Sequence, residues 1–372
     1  MQNVLGIINT SQKEEAKEMQ PLTSIRSLAS VPFGGRYRLI DFPLSNFVNS
    51  GLTNIGILLE EKYRSLLDHI GPGKAWELDR KWGGLYFLPS AKVYKKDGIY
   101  KGDIENFNCN LDYLHRCKEE YVVVSSPHII CNINYDKVFS FHKNINADIT
   151  VIYERNRTIE ESNATVLETG DNNKIIEMKH SPNLTGNYNK ISLEKFLIRK
   201  EILIEIVDEC VSTGKWDFVR EGIIKNIYKY DVYGYPFEGV VGKINSINNY
   251  FKFNLELLEP QIRENFFMKQ EIFTKPKDEP PSKITPEAEI VNTISGNGNI
   301  IAGEVKNSIL FREIRIAKNT EIENCILMQG AEVEEGVKIK NVILDKNAKI
   351  SAGKQLIGET NKPIVIEKNE VI

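Results

Sequence analysis

Residues 308–324 read SILFREIRIAKNTEIEN, residues 325–341 read CILMQGAEVEEGVKIKN and residues 342–358 read VILDKNAKISAGKQLIG. The three segments align without gaps at a 17-residue period, each with Ile-Leu at its second and third positions. Within them, apolar residues recur every six: Leu310, Ile316, Ile322; Leu327, Val333, Ile339; Leu344, Ile350, Leu356. Three six-residue sides per turn describe a triangular coil with one aliphatic side chain per side turned to the axis, a β-helix built on hexapeptide repeats. One coil cannot bury its own axis, so coils must stack; about four or five fit between Ile290 and Ile372. Unrelated strands of a β-sandwich would have no reason to hold a six-residue register. A poorer copy upstream ends in Val305-Lys306-Asn307, matching Ile322-Glu323-Asn324 and Ile339-Lys340-Asn341. Hexapeptide β-helices that transfer acyl groups need a catalytic histidine. No histidine follows His180, so this domain reads as structural and oligomer-forming.

Upstream of the repeats, the stretch 274–285 (TKPKDEPPSKIT) is rich in proline and charge and reads as an interdomain linker. Before it, apolar runs at 4–8, 54–59, 121–125 and 147–153 read as strands. Helical stretches at 44–50, 62–69, 106–117 and 135–144 lie between them. Such alternation implies a largely parallel sheet covered on both faces, with its ligand crevice beyond the strand C-termini. The loops after Ile8, Leu59 and Val124 are therefore where chemistry is expected. The expected division is 1–273 for the α/β domain, 274–289 for the linker and 290–372 for the β-helix.

Composition narrows the function classes. The 372 residues carry 48 Lys+Arg against 51 Asp+Glu, a net charge of −3, which offers no nucleic-acid footprint. No apolar run approaches the ~18–20 residues of a membrane span, and residues 1–5 lack the basic-then-apolar pattern of a secretory signal. The five cysteines are scattered without a C-x-x-C pair and read as free thiols of a reducing cytoplasm. The five histidines show no metal-ligand spacing. Gly71-Pro72-Gly73-Lys74 fails as a phosphate loop, because Asp68 stands at the first glycine position and Ala75 follows the lysine. The Lys- and Tyr-rich run 92–101 reads as a solvated hairpin.

The segment 31–46, VPFGGRYRLIDFPLSN, resembles the signature of bacterial ADP-glucose pyrophosphorylases, the glucose-1-phosphate adenylyltransferases of glycogen synthesis. Further similar stretches follow in the family's order: Asn49-Ser50-Gly51, WELDR at 76–80, Tyr100-Lys101-Gly102, SSPHI at 125–129, Trp216-Asp217-Phe218 and YPFEG at 235–239. The resemblance covers essentially the whole chain. It implies a Rossmann-like (GT-A-type) nucleotidyltransferase domain with a mixed, mostly parallel sheet, followed by a left-handed parallel β-helix. Asn9, Thr10, Gly102, Ser126, His128, Lys179 and Asp217 then fall in a substrate-like pocket. Arg36 aligns with a family lysine associated with effector binding. With Arg38 it is the expected seat of an anionic sugar phosphate through charge-assisted bonds, beside the plainer alternative of a salt-bridged arginine pair.

The departures from that family pattern bear on activity. Adenylyl transfer joins two anionic partners, and proteins assist it with Mg²⁺ held by carboxylates and with phosphate-clamping lysines. The family's opening glycine-rich loop is replaced by Asn9-Thr10-Ser11-Gln12 and a following run with Glu14, Glu15 and Glu18 but no glycine, which hinders close backbone approach to a triphosphate. Pro127 stands where the family has its metal aspartate, offering neither a ligand oxygen nor an N–H. Lys243 takes the position of the second metal aspartate. Ser181 takes that of a phosphate lysine, with Lys179 two residues away, and Leu28 that of another lysine. The set resembles the non-catalytic GlgD-type subunit that pairs with a catalytic subunit. The expectation is a regulatory, catalytically deficient subunit of a cytoplasmic hetero-tetramer. It is expected to hold no metal or cofactor of its own, Mg²⁺ being required only by the partner, and to bind neither nucleic acid nor membrane. The alternatives are an active pyrophosphorylase with a rearranged site using Lys13, Lys17, Lys179, Lys243 and Asp217, or a stand-alone sugar-phosphate sensor.

Overall fold

The computed structural model describes residues 3–90 and 101–372, with 156–162 and 182–188 described in backbone only. The expected hairpin at 92–101 lies outside the described residues except for Lys101. The chain packs as two units. One comprises Met1–Gln12, Phe42–Val241 and Gln270–Phe273; the other comprises Lys13–Asp41, Gly242–Lys269 and Thr274–Ile372.

The first unit is built on a seven-stranded sheet. Its strands are β1 (Val4–Asn9), β4 (Asn54–Leu58), β5 (Gly84–Leu88), β6 (Tyr121–Ser125), β8 (Ile149–Thr169), β9 (Ile175–Arg199) and β10 (Val232–Phe237), in the order β10-β8-β9-β6-β1-β4-β5. Short strands β2 (Pro32–Phe33) and β3 (Tyr37–Arg38) belong to the second unit, and β7 (Ile129–Cys131) follows β6. The β1/β4, β1/β6, β4/β5 and β8/β10 pairs are parallel, whereas β9 runs antiparallel to both β6 and β8. The sheet is thus mixed and mostly parallel. Its core joins Leu5, Ile7, Val122, Val124, Phe196 and Ile198 with Leu203 and Ile206 of the helix Lys200–Ser212.

The apolar runs at 4–8, 54–59 and 121–125 are the central strands, and 147–153 is the start of a longer one. The helix at Tyr135–Asn144 matches its expected bounds. Instead of one helix at 106–117 there are two, α4 (Asp103–Cys109) and α5 (Leu111–Arg116), in chain order after α1 (Lys13–Glu18), α2 (Asp41–Asn49) and α3 (Arg64–Ile70). Asn110 makes the break: its Nδ2 donates to the carbonyls of Asn106 (2.8 Å) and Pro89 (2.9 Å), a local bond that competes with helix continuation.

The second unit holds the β-helix. Three five-stranded parallel sheets give five coils of three sides each. The register stacks Leu310 on Leu327 and Leu344, Ile316 on Val333 and Ile350, and Ile322 on Ile339 and Leu356. These are the inward positions of the repeat, and all but Leu356 are fully buried. The first side of the first coil is Lys283–Ile284, so the helix starts inside the stretch expected to be linker. A feature the hydrophobic period did not show lies at the corners. Asn292, Asn307, Asn324 and Asn341 recur at one corner with φ of 45°, 48°, 51° and 52°, the left-handed region that asparagine tolerates and β-branched residues do not. The Asn324 and Asn341 amides donate one coil back, to the carbonyls of Lys306 (3.1 Å) and Glu323 (3.2 Å).

Residues 13–41 and 242–269 are knitted into this second unit. Arg26 and Asp345, both nearly fully buried, form a bidentate pair at 2.8 and 2.9 Å. The Tyr250 hydroxyl donates to the Pro32 carbonyl (2.7 Å), and the Gly34 amide donates to Asn254 Oδ1 (2.9 Å). The linear division at 273 therefore does not coincide with the packing.

Candidate functional site

In the first unit, β1 and β6 lie side by side with Ile8 opposite Ser125, so the loops leaving their C-terminal ends meet at the sheet's crevice. The loop after β1 is closed on itself. The Ser11 amide donates to Asn9 Oδ1 (3.1 Å), the Gln12 amide donates to the Thr10 carbonyl (3.1 Å), and Gln12 Nε2 donates to the Asn9 carbonyl (2.8 Å). Thr10 is fully buried and donates to the Leu58 carbonyl (2.7 Å), and Asn106 Nδ2 donates to Ser11 Oγ (2.8 Å). Two backbone amides that a phosphate cradle would present are thus already spent within the turn.

From Asn9 a polar chain runs across the site. Asn9 Nδ2 donates to Asp103 Oδ2 (3.0 Å), and the Phe218 amide donates to Asp103 Oδ1 (2.8 Å). Asp217 caps the short π-helical turn Phe218–Ile223, accepting from the Arg220 amide (2.7 Å), and pairs with the Arg220 guanidinium (3.4 Å). Arg220 Nη2 lies 2.8 Å from His180 Nε2, whose Nδ1 is 2.9 Å from Thr165 Oγ1. A guanidinium can only donate, so Nε2 accepts and Nδ1 carries the proton toward Thr165. Burial, reinforced by the nearby Asp217 carboxylate, raises the Asp103 pKa to about 7. Gly102, just before Asp103, is needed for close approach: a Cβ there would stand 2.1 Å from the Trp216 carbonyl oxygen.

The loop after β6 is Ser125-Ser126-Pro127-His128. Ser125 is paired in register with Lys195 of β9, and Lys195 is fully buried. Its Nζ donates to Ser125 Oγ (3.0 Å) and to the carbonyls of Ile129 (2.9 Å) and Ser126 (3.4 Å). Burial pushes this ammonium's pKa down, against the opposing pull of Cys131 and Glu194. His128, also fully buried, has Nε2 3.5 Å from Glu194 Oε2.

The expected pocket residues Asn9, Thr10, Gly102, Ser126, His128 and Asp217 all lie around these loops. Lys179 does not join them. On β9 it points to the face opposite His180, as alternation requires, where it is largely exposed, pairs with Glu177 at 2.5 Å, and borders a separate cavity of about 530 Å³ with Glu168 and Lys190. Ser181 lies on the same strand, opposite Ala164. Asp103, Arg220 and Lys195 were missed by the sequence reading. The Gly102 motif pointed next door to Asp103, and a lone lysine before the apolar run Phe196-Leu197-Ile198 was the available signal for Lys195. The metal that the resemblance implies does not fit this donor set. Pro127 supplies no carboxylate, and among the described residues no group of three or more His, Cys, Asp and Glu is arranged to hold a metal ion.

In the second unit, Leu28 is fully buried in a single 3₁₀ turn (Leu28–Ser30) and Lys243 ends β11 (Val241–Lys243). Arg36 stands 5.4 Å over the Tyr37 ring, and the Arg38 amide donates to Asp41 Oδ2 (2.9 Å). Around Lys346 gather Arg38, Arg26 and Lys277. Burial, then the charges of Arg38, Arg26 and Lys277, pull the Lys346 pKa down to about 7 against Asp345. Burial and Arg36 likewise lower that of Arg312. Among the described residues no helix is long and apolar enough to cross a membrane.

Comparison with known proteins places these features in a family. The nucleotidyl transferase family profile matches residues 15–256, and a GlmU-like C-terminal hexapeptide profile matches residues 280–363. The chain is 31% identical over 319 residues to the glycogen biosynthesis protein GlgD of Bacillus subtilis, spanning 86% of this chain and 82% of the relative. It is 33% identical over 317 residues to the GlgD of Geobacillus stearothermophilus (85% and 81%). It is 32% identical over 313 residues to the glucose-1-phosphate adenylyltransferase of Clostridium novyi (82% and 81%).

Proposed function

The chain belongs to the nucleotidyl transferase family, in its ADP-glucose pyrophosphorylase branch and GlgD-like within it, and from that premise we propose that it is a regulatory, catalytically deficient subunit of glucose-1-phosphate adenylyltransferase. In this reading it assembles with a catalytic partner as a cytoplasmic hetero-tetramer in glycogen biosynthesis. The partner makes ADP-glucose and diphosphate from ATP and glucose-1-phosphate and alone requires Mg²⁺; this chain holds no metal or cofactor of its own. The observation that carries the reading is the pair of strand-end loops. One has spent its Ser11 and Gln12 amides internally, and the other offers Pro127 where a metal carboxylate is needed. Each missing charge contact removes about 3 kcal/mol of transition-state stabilisation, and losses at both loops compound.

Regulation enters at the second unit. A sugar phosphate seated against Arg36 and Arg38 offsets the share of the Lys346 pKa depression that Arg38 adds to the larger effect of burial. Binding there biases the conformational equilibrium of the partner. The test is to purify the chain alone and with a catalytic homologue and to assay ATP plus glucose-1-phosphate with Mg²⁺. The lone chain yields no ADP-glucose, and the mixture shows a changed rate or effector response. ADP-glucose formation by the lone chain at ordinary enzyme rates overturns catalytic deficiency, and an unchanged partner overturns regulation.

A further inference from the structure

The fully buried ammonium of Lys195 is a built feature, not a stray side chain. It carries three N–H donors, and three oxygens meet them: Ser125 Oγ, the Ser126 carbonyl and the Ile129 carbonyl, at 3.0, 3.4 and 2.9 Å. Those carbonyls bracket Pro127 in the chain, on the strand-end loop where the family places a metal carboxylate. Backbone carbonyls and a serine hydroxyl are the hard oxygens that a Mg²⁺ or Mn²⁺ site recruits beside a carboxylate. Here they are turned inward to an ammonium. The Lys195 ammonium lies fully buried, where repulsion of a second cation is screened far less than in solvent.

We infer that Lys195 is a tethered cation that holds the β6 strand-end loop in a form closed to a divalent metal, so that restoring an aspartate at position 127 does not by itself restore metal binding. The inference rests on the reading that this site has lost its metal, and it assigns the loss on this loop to two residues, Pro127 in the loop after β6 and Lys195 on β9. The carboxylate is missing at Pro127, and Lys195 supplies the local positive charge that a metal ion would otherwise bring to these oxygens. Lys195 also gives the loop's inward oxygens the partners that a purely apolar replacement would deny them.

The experiment is a Mn²⁺ titration followed by electron paramagnetic resonance on four full-length chains: wild type, Pro127→Asp, Lys195→Gln, and Pro127→Asp with Lys195→Gln. Glutamine removes the charge and keeps two N–H donors, which favours folding; circular dichroism checks it. Wild type and Pro127→Asp are expected to bind Mn²⁺ alike within about twofold, and the double variant at least about tenfold more tightly. A tenfold gain in Pro127→Asp alone overturns the inference, as does a folded double variant no tighter than wild type. If Lys195→Gln does not fold, the Pro127→Asp arm still decides, because tight binding there shows that the ammonium closes nothing. The readout is metal binding by the chain alone, so it stands or falls separately from activation of a partner.

Discussion

The β-helix and the strand-end site are governed by opposite rules. In the β-helix one physical requirement repeats: each six-residue side must turn one aliphatic residue to the axis. Leu310, Leu327 and Leu344 are interchangeable in kind because they do the same thing in successive coils. In the strand-end site nothing repeats. Asn9, Asp103, the Asp217–Arg220 turn and His180 come from four places in the chain, and each is explained only by the one beside it. A periodic region loses stability by the sum of its coils, whereas a singular one can exchange its chemistry while the frame around it persists.

The largest expected effect tests the repeating side. Leu327→Asp places a carboxylate on a dry axis between Leu310 and Leu344, and an unpaired buried charge together with the lost packing costs more than about 4 kcal/mol. Thermal denaturation followed by far-UV circular dichroism should lose the transition of the second unit. A variant that melts like wild type would mean that the coils do not share an axis. Next is Gly102→Ala on the singular side. The new methyl meets the Trp216 carbonyl at 2.1 Å, and backbone must move. The expected cost is about 3 kcal/mol, read by urea denaturation. A neutral result would mean that this approach is not needed to seat Asp103 beside Phe218.

What could be read in advance follows the same division. The inward residues of the β-helix and the apolar strands β1, β4 and β6 were legible because burial there is local and periodic. Strand β9 was not. It carries Glu194 at a φ of 50° and the fully buried Lys195 toward its C-terminal end, and both break the apolar pattern that signals a central strand. The packing crosses the linear division at 273 for a related reason. The Arg26–Asp345 pair joins residues 319 apart, and no local composition announces such a partner. Resemblance pointed to Asn9, Gly102, Ser126, His128 and Asp217, which lie at the strand-end loops and the elements bonded to them. It could not show that Lys195 bonds the strand-end oxygens or that Lys179 points away.

A smaller effect separates charge from scaffold within the site. Because the folded-state pKa of Asp103 is raised from 3.8 to about 7, the native state binds the extra proton between those values. Stability contributed by this group is therefore present at low pH and falls as pH rises from about 4 to about 7. His142, buried and lowered to about 4, acts with the opposite sign over much of that window, so the comparison must be between variants. Asp103→Asn cannot ionise. Relative to wild type it should gain about 2 kcal/mol on going from pH 4.5 to pH 7.5, measured as a difference in melting temperature at each pH. Parallel wild-type and variant profiles would show that the Asp103–Asp217 neighbourhood does not carry the pH dependence.

The smallest effect asks whether the corners of the β-helix are as constrained as its axis. Asn324 sits at φ 51° and its amide donates to the Lys306 carbonyl one coil back, so the left-handed turn is what lets the next side begin in register. Alanine there meets the steric cost of left-handed backbone, about 1 kcal/mol, and that cost falls on one coil only. Glycine carries no such clash and loses only chain entropy, so Asn324→Gly should fall within about 0.5 kcal/mol of wild type. The order wild type ≈ Gly > Ala, read from urea midpoints at constant slope, identifies backbone conformation as the constraint. If alanine is tolerated as well as glycine, the recurrence of asparagine at 292, 307, 324 and 341 reflects something other than φ. The period of the β-helix then lies in its axis alone, and its corners are as free to diverge as the strand-end loops.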